Sequence, residues 1–121
     1  MIEMRKLVSW VEIPASDFER AVKFYNNVLK VELNVFDFDV EKMALFPSGD
    51  GAISFADGFN PSKNGTLVSL NAEDDLDGAI DRVVDNGGEI VIPKTKIQAE
   101  GKAYFAVFID CEGNRVGFYG E

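Results

Sequence analysis

Few side chains in this sequence have the chemistry of a catalytic or metal-binding group, and histidine is missing altogether. Its absence excludes Ser-His-Asp and Cys-His catalysis and removes the commonest protein ligand for zinc, nickel and iron. Cys111 is the one cysteine, and without a histidine nothing near it would act as the base that activates a thiol. The most interesting remaining candidate is a carboxylate, Glu12, which lies in the apolar stretch between Trp10 and Pro14.

Two acidic pairs, Asp37/Asp39 and Asp74/Asp75, have explanations that need no ligand. Asp74 and Asp75 precede a helical pattern, and carboxylates stabilise the N-terminus of a helix. Asp37 and Asp39 alternate along a strand, so we expect them on a solvated edge. Neither pair has the spacing of a metal site, and the sequence predicts no metal and no other cofactor.

The charge and composition exclude several classes of protein. A formal charge of −9, from 21 acidic and 12 basic residues, argues against nucleic acid as a partner, because phosphate binding needs a basic face. The same charge favours a cationic ligand. One cysteine suits a reducing cytoplasm, and neither a secretory signal nor an apolar run of about 20 residues is present. We therefore expect a cytoplasmic protein that does not enter a membrane.

The first half of the chain has the pattern of one strand, one helix and three further strands. Pro14 stops the first strand, and Ser16 with Glu19 has the form of a capping box that opens the helix. Apolar residues then recur at helical spacing. The predicted elements are a strand over 7–13, a helix over 17–29, and strands over 31–39, 42–47 and 51–56.

The second half repeats this order after a turn-rich polar stretch, 57–64, that we interpret as a linker. The glycines that follow Asn86 favour a left-handed C-cap for its helix. The predicted elements are a strand over 66–71, a helix over 74–87, and strands over 89–94, 102–110 and 114–119.

The two halves also match in residues. Asp17-Phe-Glu-Arg-Ala-Val22 corresponds to Asp75-Leu-Asp-Gly-Ala-Ile80, and Ala44-Leu-Phe46 corresponds to Ala106-Val-Phe108. A repeat of about 60 residues predicts one α+β domain of two βαβββ modules, 1–56 and 65–121. Each module alone leaves one sheet face uncovered, so the two sheets are expected to form an open, barrel-like cleft.

The repeat and two motifs resemble the vicinal oxygen chelate superfamily, which includes glyoxalase I, bleomycin resistance proteins and extradiol dioxygenases. One motif is Trp10-Val-Glu-Ile-Pro14 with the helix start that follows it. The other is Phe108-Ile-Asp-Cys-Glu-Gly-Asn-Arg-Val-Gly-Phe118, which is similar to the closing hairpin of the family. Cys111 stands where that hairpin usually has proline.

The resemblance implies four positions at which metal-dependent members of the family carry ligands. In this sequence they are Trp10, Ser54, Val68 and Gly117, with Ser54 placed to within one or two residues. Tryptophan, valine and glycine offer no side-chain ligand to a divalent metal, and serine alone is a poor one. The resemblance therefore implies the family's cleft without its metal.

Strand alternation predicts which side chains face this cleft. Glu12 shares a face with Trp10 on the first strand, and Arg115, Gly117 and Tyr119 share one on the last. On the fifth strand Thr66, Val68 and Leu70 are expected to line the cleft. Glu12 is a candidate general base, but an ion pair with Arg115 or a place at the open rim would also explain it. Trp10 fits a cavity wall or a ligand platform, and Tyr119 a platform or a dimer contact.

Two classes of function follow. In the first, the chain is a metal-free binder of a small cationic or aromatic molecule, similar to bleomycin resistance proteins. In the second, it is a lyase or isomerase like lactoylglutathione lyase, with an unrecognised metal site or with Glu12 as base. A structural or regulatory dimer is a third hypothesis. A homodimer is expected in either class. Such modules leave long sheet edges, and edges of this kind are usually covered. The resemblance also implies a dimer, because most members of the family are dimers.

Overall fold

A computed structural model describes residues 7–98 and 103–121. Its first unit contains β1 (Val11–Pro14), α1 (Phe18–Leu29), β2 (Asn34–Asp37), β3 (Lys42–Leu45) and β4 (Gly51–Phe55). Its second unit contains β5 (Ser69–Glu73), α2 (Leu76–Asp85), β6 (Glu89–Lys96), β7 (Tyr104–Ile109) and β8 (Arg115–Gly120). No helix in the part of the chain that the structure describes is long and apolar enough to cross a membrane.

Each unit forms a four-stranded mixed sheet, with strand order β1-β4-β3-β2 in the first and β5-β8-β7-β6 in the second. The first and fourth strands of each unit run parallel, and the other pairs are antiparallel. The sheets do not close into a barrel. The predicted α+β fold of two βαβββ modules around an open cleft is confirmed. The module boundaries, with a linker over 57–64, stay a prediction.

One apolar core holds the two units together. Phe24 of α1 lies 6.2 Å from Phe108 of β7 between ring centroids, and Phe108 lies 4.6 Å from Phe118 of β8. Residues at helical spacing on α1, including Phe18, Ala21 and Val28, are buried against this core. Burial of each large apolar side chain contributes about 1.5–3 kcal/mol, so a core shared in this way favours the joined arrangement of the two units.

Several predicted boundaries were wrong by two to four residues. The first strand begins at Val11 rather than at residue 7, because its parallel partner β4 begins at Gly51, the residue paired with Val11. The fifth strand covers Ser69–Glu73 rather than 66–71, because its pairing with β8 begins at Ser69, which lies opposite Gly117. The N-cap of α1 is Asp17, which accepts a hydrogen bond from the Arg20 N–H, and not Ser16.

Candidate functional site

A cavity of about 290 Å³ lies where the end of β1 meets the start of β8, closed on one side by the segment between β4 and β5. Both strands present side chains to it because they end or begin at this edge of the structure. Five of the lining side chains could recognise a ligand, with a carboxylate, a guanidinium, an aromatic ring, a hydroxyl and an aliphatic surface. In that order they are Glu12, Arg115, Phe59, Thr66 and Val68.

Glu12 lies on the face of β1 that is turned away from the helices, whereas its neighbour Ile13 is buried in the core. Its Oε1 accepts a hydrogen bond from the Ser54 hydroxyl at 2.7 Å. Ser54 is only 3% exposed, whereas Glu12 is exposed, so a buried hydroxyl anchors one oxygen of an exposed carboxylate. A carboxylate fixed by one oxygen keeps the other available for a ligand.

Arg115 lines the same cavity, but no ion pair joins it to Glu12 within residues 7–98 and 103–121. Of the two structural explanations of Glu12, the ion pair with Arg115 is therefore not formed, and Glu12 itself is exposed. The Arg115 backbone N–H donates to the Ser62 carbonyl at 3.3 Å, while its side chain is exposed. The cavity thus carries an acidic and a basic side chain that form no direct ion pair.

Val68 lies just before β5, half-buried, and its carbonyl accepts a hydrogen bond from the Gly117 N–H at 2.8 Å. Thr66 and Val68 line the cavity. Leu70 does not, because it is buried in the core at the register position of Phe118. The expectation that Thr66, Val68 and Leu70 would share the cleft face was therefore wrong for Leu70.

Gly117 lies opposite Ser69 in the pairing of β8 with β5. A Cβ atom added at Gly117 would lie 2.6 Å from the Ser69 Oγ. The missing side chain at this position therefore allows a close approach between strands, and Ser69 takes part of the space that a larger residue would need.

Trp10 and Tyr119 are not brought into the cavity. Trp10 is 41% exposed and Tyr119 is 50% exposed, and neither lines the 290 Å³ cavity. The seven residues proposed from the sequence therefore separate into three groups. Glu12, Val68 and Arg115 line the cavity. The other four do not line it: Ser54 and Gly117 are buried, and Trp10 and Tyr119 are exposed.

The β7–β8 hairpin joins the second unit to the first through buried polar side chains. Asp110 accepts hydrogen bonds from the Tyr25 hydroxyl at 2.6 Å and from the Asn114 amide at 3.1 Å. The same Asn114 amide donates to the Pro14 carbonyl at 2.7 Å, and its oxygen accepts from the Ser62 N–H at 3.1 Å. Asn114 thus connects Pro14 at the end of β1 with Ser62 in the segment between β4 and β5, and both of these residues line the cavity.

Glu112 of this hairpin binds the start of α1. Its Oε1 accepts from the N–H groups of Ser16 at 2.9 Å and Asp17 at 2.7 Å, and its Oε2 pairs with Arg20 at 2.6 Å. Burial alone would raise the pKa of the Glu112 carboxyl, but the hydrogen bonds from Arg20 and Asp17 outweigh it, and the pKa is lowered. We call these contacts of Asp110, Glu112 and Asn114 with the first unit the hairpin clamp.

The hairpin motif was predicted from the sequence as a turn, but the contacts of the hairpin clamp with the first unit were not predicted. The acidic and amide residues of Asp110-Cys-Glu-Gly-Asn114 were the available signal, because polar side chains in a turn close to apolar strands need partners. Burial, followed by the hydrogen bond to Glu112, raises the pKa of Cys111 to about 12.

A family model for the glyoxalase/bleomycin resistance protein/dioxygenase superfamily matches residues 7–118. The chain belongs to this superfamily. The solved structures that resemble it show the same fold. A glyoxalase/bleomycin resistance protein from Albidiferax ferrireducens is 20% identical, with a TM-score of 0.74 over 96% of this chain and 100% of that one.

Two further superfamily structures have a TM-score of 0.69. A glyoxalase/bleomycin resistance protein/dioxygenase family enzyme from Burkholderia phytofirmans is 16% identical over 93% of this chain and 96% of its own. A glyoxalase I mutant from Zea mays is 20% identical over 92% of this chain and 44% of its own. No curated protein matches the sequence.

The residues at the four positions that the resemblance assigns to a metal, Trp10, Ser54, Val68 and Gly117, do not fit a divalent ion. Ser54 already donates its hydroxyl to Glu12, and the space beside Gly117 is narrowed by Ser69. Within residues 7–98 and 103–121, no group of three His, Cys, Asp or Glu side chains is arranged to hold a metal. The donor set of this cavity is one carboxylate with hydroxyl neighbours, which suits an organic ligand better than a tightly held metal.

Proposed function

We propose that this superfamily member binds a small organic molecule that carries a cationic group and an aromatic or apolar body, without the help of a metal. The observation that carries the proposal is the Glu12 carboxylate, fixed by Ser54 at 2.7 Å and directed to a cavity with Phe59 and Val68 in its walls. The overall charge of −9 supports it, since an acidic protein concentrates cations at its surface.

The walls of the cavity suit a flat or aliphatic body. Phe59 offers a partly exposed ring and Val68 an aliphatic wall, while the hydroxyl of Thr66 adds a hydrogen-bonding group. Such a mixture of apolar surface with a few fixed polar groups is typical of small-molecule sites. Arg115 lines the same cavity and would be the partner of a negative group on a ligand.

The test compares phenethylamine with 3-phenylpropionate, which have the same ring and chain but opposite charges, by calorimetric titration. We expect the amine to bind more tightly, and Glu12→Gln to weaken amine binding several-fold, as loss of one charge-assisted hydrogen bond predicts. Glu32→Gln removes an exposed carboxylate outside the cavity and is the matched control. Preference for the propionate, lost in Arg115→Gln, would overturn the proposal.

A second candidate is metal-free lyase or isomerase activity with Glu12 as general base. The hydrogen bond from buried Ser54 favours it, because a base must be held in one orientation to take a proton efficiently. The test is turnover of the adduct of methylglyoxal with glutathione in the presence of a chelator. Turnover that is lost in Glu12→Gln would support this candidate over simple binding, whereas its absence would exclude this reaction.

A further inference from the structure

A second and larger space, about 600 Å³, lies between the first unit and β5. We call it the inter-unit groove. It is bounded by the β3–β4 turn on one side and by β5 on the other, with the segment after α1 as its floor. Most of its surface is aliphatic or aromatic, from Val11, Leu29, Val31, Phe46, Val68 and Leu70. It touches the cavity of Glu12 only at Val68.

The charged residues that line the groove are both acidic. Asp50 stands at the end of the β3–β4 turn and Glu73 at the end of β5, and both are exposed. No lysine or arginine of the described residues lines the groove to neutralise them. An apolar surface with two carboxylates at its border is complementary to a molecule with an apolar body and a positive end.

Glu73 is held in place by the backbone around it. Its φ of 53° lies in the left-handed region, next to a register shift between Asn71 and Glu73. The Asn71 side chain accepts the Glu73 N–H at 2.9 Å, and the Glu73 carbonyl accepts the Glu121 N–H at 2.6 Å. A bulge of this kind redirects a side chain, and these bonds fix the backbone that carries Glu73 beside the groove.

The groove is open because the two units contact each other differently at their two hairpins. The β7–β8 hairpin fills its junction with the hairpin clamp. The described hydrogen bonds of the β3–β4 turn stay within the first unit, such as Ser48 to Asp50 at 2.6 Å and the Val11 N–H to the Asp50 carbonyl at 3.1 Å. Its Pro47 and Phe46 line the groove without crossing it. Polar side chains thus join the two units at the β7–β8 hairpin, whereas the space beside the β3–β4 turn stays open and is lined mostly by apolar residues.

We propose that the inter-unit groove is a second binding site, for small amphipathic cations with an alkyl or aryl body and an ammonium group. The apolar walls hold the body, and Asp50 and Glu73 hold the ammonium. The proposal is independent of the ligand of the Glu12 cavity, since the two sites use different carboxylates.

The test uses hexylammonium and octylammonium, with octanol and octanoate as neutral and negative probes of the same length. Binding is followed by backbone amide shifts in NMR titrations. We expect shifts centred on the groove, at Val31, Phe46, Ser69 and Glu73, and affinity in the order ammonium, alcohol, carboxylate. Two added methylene groups should increase affinity by up to about 15-fold if the alkyl chain is fully buried.

The variants separate the groove from general attraction to an acidic protein. Asp50→Asn and Glu73→Gln should each weaken octylammonium binding by about two- to fivefold, the range of a partly exposed ion pair, with little effect on octanol. Asp81→Asn, which removes an exposed charge from α2, is the matched control and should change nothing. Equal effects of all three variants, or shifts centred on Thr66 and Arg115, would overturn the proposal.

Discussion

Asp110 is a buried carboxylate whose lone pairs are all directed at donors of the chain. Besides Tyr25 and the Asn114 amide, it accepts the backbone N–H groups of Glu112 and Asn114, each at 2.9 Å. Burial raises the pKa of Tyr25 well above its usual value, and the negative charge of Asp110 raises it further. Tyr25 therefore stays a hydrogen-bond donor throughout the physiological range, which a buried acceptor such as Asp110 requires.

At the same scale, Glu112→Gln tests the hairpin clamp. The variant should lose about 2 kcal/mol of unfolding free energy at neutral pH, because hydrogen bonds to a charged acceptor become bonds to a neutral one. Since the pKa of Glu112 is lowered in the folded protein, its contribution is present above the unfolded value of about 4.3 and is lost as the pH falls through the lower folded value.

The measurement is urea denaturation of both proteins at several pH values. The difference between them should shrink in acid, and a difference that does not depend on pH would contradict the assignment. Glu19→Gln, an exposed change in the first turn of the same helix, is the control for a general effect of removing charge near α1.

At the scale of elements, the order and type of all ten helices and strands could be predicted from periodicity and from the repeat. The strand ends could not, because they depend on pairing: β5 begins where Gly117 pairs with Ser69, and its end is displaced by the irregularity before Glu73. The same holds for the site. Alternation on β1 predicts the face that carries Glu12, whereas Phe59 lies in a polar segment whose path no local pattern specifies.

Gly117→Ala tests the close approach between β5 and β8. The added Cβ would meet the Ser69 Oγ at 2.6 Å, so we expect a loss of about 1 kcal/mol, at the low end for overpacking because a serine side chain can rotate. Ser69→Ala together with Gly117→Ala should recover most of this loss, which thermal and urea unfolding would show. Failure of the double variant to recover would mean that the strand itself, and not Ser69, rejects the side chain.

At the scale of the whole molecule, aromatic surface remains exposed on the first unit. Phe36 and Phe38 stack with 6.4 Å between ring centroids, and Phe38 is 62% exposed. Phe36 lies opposite Met43, and Met43 opposite Ser54, so this surface belongs to the sheet face that carries Glu12. Exposed apolar surface of this kind favours association, and the homodimer expected from the sequence stays a prediction with this face as the proposed contact.

Light scattering on the purified chain should give about twice the mass of one 121-residue chain at micromolar concentration. Phe38→Ser should shift the equilibrium toward monomer, because it removes apolar area without touching the core. Val84→Ser changes an exposed apolar residue of α2 and should leave the mass unchanged. A monomeric wild-type protein, or a shift caused by Val84→Ser alone, would contradict the predicted interface.

The hairpin clamp also has a consequence for how the chain reaches its folded state. The acceptor that binds the Asp17 N–H lies 95 residues further along the chain, so the contacts of Glu112 with the start of α1 form only after residue 112 has left the ribosome. Contacts this distant in sequence slow folding, since a long loop must close before they form. We therefore expect the nascent first unit to be cleaved readily by proteases until β8 is synthesised. Docking of the β7–β8 hairpin onto the first unit should then complete the fold.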